Sequence, residues 1–209
     1  MLSNFFKKIF QKKIELSNIN QIIDYIEKNS SFVSQVTLYP YLKTRAGTQH
    51  PKLFENEKFL SSLRISRWHL YISCVNDLSI FISSICAKDH NYTNKTAYKL
   101  AEYLSTTIFK KIKQNDIDDD EFYLSVKNIS KIYKGLNLNQ ITKRDVLFKK
   151  SADDLIKWAP VSEQFKKEDE TILRNSINFR WIPIRKEVHQ NIDTNEINKQ
   201  WKTLSKNYS

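Results

Sequence analysis

Apolar residues recur along most of this chain at the three-to-four-residue interval of an α-helix. Residues 2–13 show the pattern first. Leu2, Phe5, Phe6, Ile9 and Phe10 share one face, with Lys7, Lys8 and Lys12 opposite, which predicts a short amphipathic helix. Ile19, Ile22, Ile23 and Ile26 predict a second helix over about 18–28. Residues 31–43 are ambiguous: Phe32, Val33, Val36 and Tyr39 suit a helix, while Val36-Thr37-Leu38-Tyr39 also suits a strand. Pro40 is expected to kink or end either one, and Gly47 and Pro51 to bracket a loop.

The longest element is expected over about 56–88. Phe59, Leu60, Leu63, Trp68, Leu70, Cys74, Leu78, Phe81 and Ile85 cover about half of its circumference. Ile65, Ile72 and Ile80 extend apolar surface onto most of the rest, so this helix belongs at the centre of a bundle. Further helices are expected over 94–113 with Asn94 as N-cap, from the acidic run near Asp118 to Gly135, over 143–158, and over 161–189 with an interruption at Pro183. The final residues are polar apart from Trp201 and read as a loosely docked tail. The expected organisation is therefore an amphipathic N-terminal helix (1–14), a helical bundle domain (15–190) and a polar C-terminal tail (191–209). The expected fold class is all-α, a single-domain bundle of about seven helices around the 56–88 helix.

Composition supports this picture. With 209 residues, the length suits one core. Only two glycines are present, Gly47 and Gly135, too few for the turns of a sheet protein. They also cannot write the glycine-rich loops that cradle phosphates, so nucleotide sites of that kind are excluded. The formal net charge is +11, yet only seven of the 34 basic residues are arginine. Abundant Lys, Asn and Ile is what an AT-rich genome writes at tolerant positions, so part of the charge is background; the remainder biases the chain toward anionic partners. Cys74 and Cys86 lie twelve residues apart on one expected helix, about 18 Å by helical rise, too far for a disulfide or a shared metal. They read as small buried thiols in a reducing compartment. No run of eighteen apolar residues and no cleavable leader pattern occurs, so a cytoplasmic setting is expected.

Candidate chemistry is sparse. Asp116, Asp118 and Asp120 imitate the first ligands of a calcium loop, but the sixth position is Glu121 and the twelfth Lys127, which defeats that reading. His50, His90 and His189 are dispersed, so neither a metal nor a cofactor is expected. On the 56–88 helix, His69, Ser73, Asn76 and Asp77, with Ser66 and Ser84, form one polar stripe. It is either a polar cleft with His69 as acid or base, or a tight helix–helix contact lined by small polar groups. Arg64 and Arg67 lie one turn apart, and Arg67 falls on the apolar arc, so it is expected to be buried and to need a carboxylate or an anionic ligand. Arg174, Phe179, Arg180, Trp181 and Arg185 interleave basic and aromatic side chains, as single-strand binders do and as intramolecular stacking clusters do. Phe5, Phe6, Lys7, Lys8, Phe10 and Lys12 have the composition of a helix that lies on an anionic membrane surface.

Tyr41-Leu-Lys-Thr-Arg-Ala-Gly-Thr-Gln-His50, Arg67-Trp-His-Leu-Tyr71, Trp158-Ala-Pro160 and Asn178-Phe-Arg-Trp181 resemble segments of a set of uncharacterised helical proteins from alphaproteobacteria. The resemblance implies a bacterial intracellular setting and carries no catalytic residue. The leading functional expectation is a non-catalytic binding or assembly protein with a protein partner, at the cytoplasmic face of the inner membrane if residues 2–13 engage lipid. The alternatives are weak, sequence-independent nucleic-acid binding through lysine-rich surface near 110–113, 127–134 and 143–150, and an enzyme with a cleft at Arg67 and His69.

Overall fold

The computed structural model describes residues 14–111, 129–141 and 147–208. The expected N-terminal helix with its membrane-surface residues, the acidic run after Asp116, and parts of the lysine-rich stretches lie outside the described residues. Within them the chain is an all-α bundle around one long central helix. Its helices are α1 (Ile19–Ala46), α2 (His50–Leu53), α3 (Glu57–His90), α4 (Asn94–Lys111), α5 (Ile129–Ile132), α6 (Lys149–Trp158), α7 (Glu163–Asn191) and α8 (Thr194–Leu204).

Helix α3 is the hub. Every residue from Trp68 to Ala87 is buried, as a helix apolar nearly all round requires. Asn56 caps its N-terminus by accepting from the Phe59 N–H at 3.1 Å, and Asn91 ends it in the left-handed conformation (φ 51°). α3 is long and apolar enough to cross a membrane, with an 18-residue window of mean hydropathy 1.5, yet that window is wholly buried by the surrounding bundle. Helices α1, α4, α6 and α8 pack against it. Close approach to α4 uses small residues, and Ser83 donates its hydroxyl to the Ala97 carbonyl across the contact.

Three sequence expectations are corrected. The 18–28 helix and the ambiguous 31–43 stretch are one helix, α1, which runs through Pro40 without a break. Pro40 lies on the exposed side, and a missing N–H there faces solvent rather than a dry core. Pro183 is likewise internal to a continuous α7 and also exposed. The proposed loop after Gly47 is a 3-10 turn (Gly47–Gln49) leading into α2.

The tail expectation fails as well. Residues 194–204 form α8, capped by Asp193, with Ile197 and Trp201 1% and 2% exposed. Full burial of an aliphatic side chain such as Ile197 stabilises by about 1.5–3 kcal/mol, enough to hold a polar helix in place. The segment just before α1 is pinned nearby, where Leu16 pairs with the α7–α8 junction through Leu16 N–H to Asn191 carbonyl (3.2 Å) and Asp193 N–H to Leu16 carbonyl (3.0 Å). Asn94 is also not the N-cap of α4. Thr93 caps it, accepting from Thr96 N–H, while the Asn94 side chain spans to Leu138 N–H and the Leu136 carbonyl.

Candidate functional site

The polar stripe of α3 is not an open cleft. Ser73 donates to the Asp154 carboxylate of α6, and Asp77 accepts from the Tyr133 hydroxyl just beyond α5 and from the Ser151 N–H of α6 at 2.8 Å. Trp181 of α7, fully buried, donates its indole N–H to Ser151 Oγ at 3.2 Å. Lys150 reaches forward one turn to Asp154 at 2.7 Å and is the network's link to the surface. Four chain segments are thus tied together around two carboxylates.

Asp77 is 0% exposed. Burial pushes its carboxyl up to about 7, and the Asp154 charge adds to the rise, against the hydrogen bonds from Ser151 and Tyr133. Burial likewise drives the Tyr133 hydroxyl and the Cys74 thiol far above their usual ranges. Cys74 and Cys86 are both buried free thiols, as their spacing predicts. A carboxyl near neutral pH often marks an acid or base. Here no substrate atom reaches Asp77, because its two oxygens are occupied and the residue is sealed. His69, 8% exposed, stacks face to face on Trp158 (3.6 Å between centroids, 2° between planes), with Lys157 over the far ring at 4.7 Å. The stripe is a helix–helix contact in which Ser73 and Asp77 are hydrogen-bonded across to α6 and His69 stacks on its last residue.

The arginines divide differently from expectation. Arg67 is half-buried, not buried, and no carboxylate among the described residues lies within ion-pair distance; its guanidinium sits over the Trp68 ring at 5.7 Å. The reason is that α3 is covered on one side only before Trp68, so the apolar arc through Leu63 is not yet enclosed. Arg64 is exposed. The second cluster splits by helical phase: Trp181 points into the core, Phe179 and Arg180 point out, Arg174 pairs with Asp153 and Glu170, and Arg185 lies over the Phe148 ring at 5.4 Å. No group of metal-ligating side chains occurs among the described residues.

An open site that the sequence reading missed lies between α1 and α7. The two helices are antiparallel, since Tyr25 meets Ile184 and Glu187 at one end and Arg45 meets Asp169 at the other. Between them runs a groove of about 440 Å³, lined mainly by apolar atoms of Val36, Pro40, Tyr41, Ile172 and Leu173, with Ser176 and Arg180. One end is closed by the bidentate Arg45–Asp169 pair, braced by Phe165 under the guanidinium at 4.5 Å. Arg45 holds the Asp169 carboxyl below the usual carboxylate range. The other end opens at Arg180, which is exposed and has no carboxylate partner among the described residues.

Six large hydrophobic side chains are exposed among the described residues, and five lie on these two helices: Phe32, Phe165, Ile172, Phe179 and Ile182. Ile172 and Phe179 are both 67% exposed. Phe165, Ile172 and Phe179 are spaced by seven residues, a repeat visible in the sequence that marks one helical stripe. No protein-family model, curated protein or solved structure matches this chain.

Proposed function

We propose that this chain is a non-catalytic binding or assembly protein whose α1–α7 face docks an acidic amphipathic helix of a partner protein. The observation that carries the reading is a mainly apolar groove lined by the exposed Ile172, on two helices that also expose Phe32, Phe165, Phe179 and Ile182. Monomeric surfaces scatter such residues singly, whereas five of the six exposed among the described residues fall on these two helices, which favours a recognition surface. A groove between two antiparallel helices suits a third helix, which would set apolar side chains at i, i+3, i+4 and i+7 into it. Charge argues for the partner's sign: Arg180 opens the groove, and Lys43, Lys167 and Lys186 are exposed on the same two helices. Of the exposed acids on α7, Glu170 is held by Arg174 and Glu163 by Lys166, while Glu168 accepts from Gln164.

The test is a titration of the intact protein with a helical peptide carrying leucines at those four spacings and glutamates elsewhere. Saturable binding that weakens by about tenfold or more in Phe179→Asp supports the reading, since one desolvated anchor contributes about 1.4 kcal/mol or more. Binding unchanged in Phe179→Asp sinks it. So does loss of binding to the peptide in favour of two other occupants of the same face: self-association abolished by Phe179→Asp, or flotation with anionic vesicles abolished by the same change.

A further inference from the structure

The chain carries a segment of its own that suits the α1–α7 groove. Residues 2–13 lie outside the described residues, but the point where they join the fold is fixed. Leu16 is buried and held at the α7–α8 junction, its N–H donating to the Asn191 carbonyl and its carbonyl accepting from the Asp193 N–H. The bridge between Leu16 and Ile192 is parallel, so the residues before Leu16 lead back toward the last turns of α7. Ile14 still packs against the core there. The segment is therefore tethered at the C-terminal end of the helix whose outer face exposes Phe179 and Ile182.

Reach and chemistry agree. From Gln190 back to Phe179, α7 rises about 16 Å, and a helix of residues 2–13 spans about 18 Å. The open end of the groove is thus within reach of the tether, whereas the end closed by Arg45 and Asp169 lies several turns further on. Leu2, Phe5, Phe6, Ile9 and Phe10 recur at the spacing with which a helix fills a groove between two others. The opposite face carries Lys7, Lys8 and Lys12, which bring no carboxylate to the exposed Arg180 and Lys186. Like charge at that end weakens the contact, and a helix of the same spacing with glutamates in place of lysines gains there. We propose that residues 2–13 dock in cis on the open end of the α1–α7 groove, as a weak internal occupant that an acidic amphipathic partner helix displaces. The regulatory consequence rests on the docking reading; the cis contact itself does not.

The experiment uses the intact protein with labelled isoleucine methyl groups, Ile172 and Ile182 being assigned through Ile172→Val and Ile182→Val. It is compared with a full-length variant carrying Phe6→Asp and Phe10→Asp. Expected are nuclear Overhauser contacts from the Ile182 methyl to phenylalanine ring protons that disappear in the variant and do not change on dilution. The leucine–glutamate peptide of the docking test should bind the variant about threefold or more tightly than the wild type, as release of an internal competitor gives. Two added aspartates would by themselves repel that peptide, so the expected gain has the opposite sign to a simple charge effect. Ile172 and Ile182 signals identical in the two proteins overturn the proposal. So do contacts that fade on dilution, which assign the occupant to a second copy. Flotation with anionic vesicles that is lost in the variant, with no contact to Ile182, assigns the segment to lipid and overturns it as well. Cis contacts in a protein that binds no peptide in either form uphold the docked segment and sink the docking reading, so the two failures are told apart.

Discussion

The inner and outer faces of α7 put the same residue types to opposite uses. Trp181 points inward, loses all contact with solvent and donates to Ser151. Phe179, two positions earlier, points outward and leaves two-thirds of its surface in water. Around Trp181 the Asp77, Ser151 and Asp154 groups of α3 and α6 are hydrogen-bonded within one buried network, so that region resists change. Around Phe179 the apolar side chains stay exposed among the described residues, so that region tolerates change and is where binding is to be sought. The difference teaches that a raised carboxyl such as Asp77 can mark the packed centre of a fold, where burial is the chief cause of the rise.

The largest effect is expected from Asp77→Ala. It leaves the Tyr133 hydroxyl and the Ser151 N–H as unpaired buried donors beside a new cavity, and should cost about 3 kcal/mol of unfolding free energy in urea. A loss below about 1 kcal/mol would mean that the network is wetter than its burial implies. Trp181→Phe removes one hydrogen bond and part of a ring, and about 1–2 kcal/mol is expected.

The pH dependence sharpens the same point. The Asp77 carboxyl is raised in the folded state from 3.8 to about 7, so the folded protein holds a proton that the unfolded chain releases. Stability from this group is therefore greatest at and below the unfolded value and falls as pH rises through that window. Asp77→Asn, which keeps the shape and cannot ionise, should flatten the slope between those limits; an unchanged slope would assign it to another group. Asp169 acts in the opposite sense, because Arg45 lowers its pKa, so its contribution is present above 3.8 and is lost as pH falls below it. On the outer face, Ile172→Asp and Phe179→Asp should change stability by about 0.5 kcal/mol or less. A drop several times larger would show that the face is part of the core.

The all-α class and the centrality of α3 were legible because helical periodicity and the scarcity of glycine are local properties. The polar stripe was legible as a stripe, but its partners were not. Asp154 lies 81 positions beyond Ser73 and Tyr133 lies 56 beyond Asp77, and only tertiary packing brings them to α3. Pro40 and Pro183 misled because local rules penalise a proline for the N–H it lacks, and that loss is small where the position faces water. Trp201 hid in a polar segment whose burial depends on two apolar residues alone. Arg67 was placed by extending the apolar arc through a stretch where α3 has no neighbour on that side. The outward stripe on α7 was present as a seven-residue spacing, but periodicity alone does not tell an exposed apolar face from a buried one.

The most direct test of this division is amide hydrogen exchange on the intact protein with and without the acidic amphipathic peptide. Protection should rise over residues 32–45 of α1 and 165–182 of α7, with exchange in α3 between His69 and Asp77 unchanged. Protection confined to that stretch of α3, with α1 and α7 unaffected, would place binding at the buried polar stripe and contradict the account.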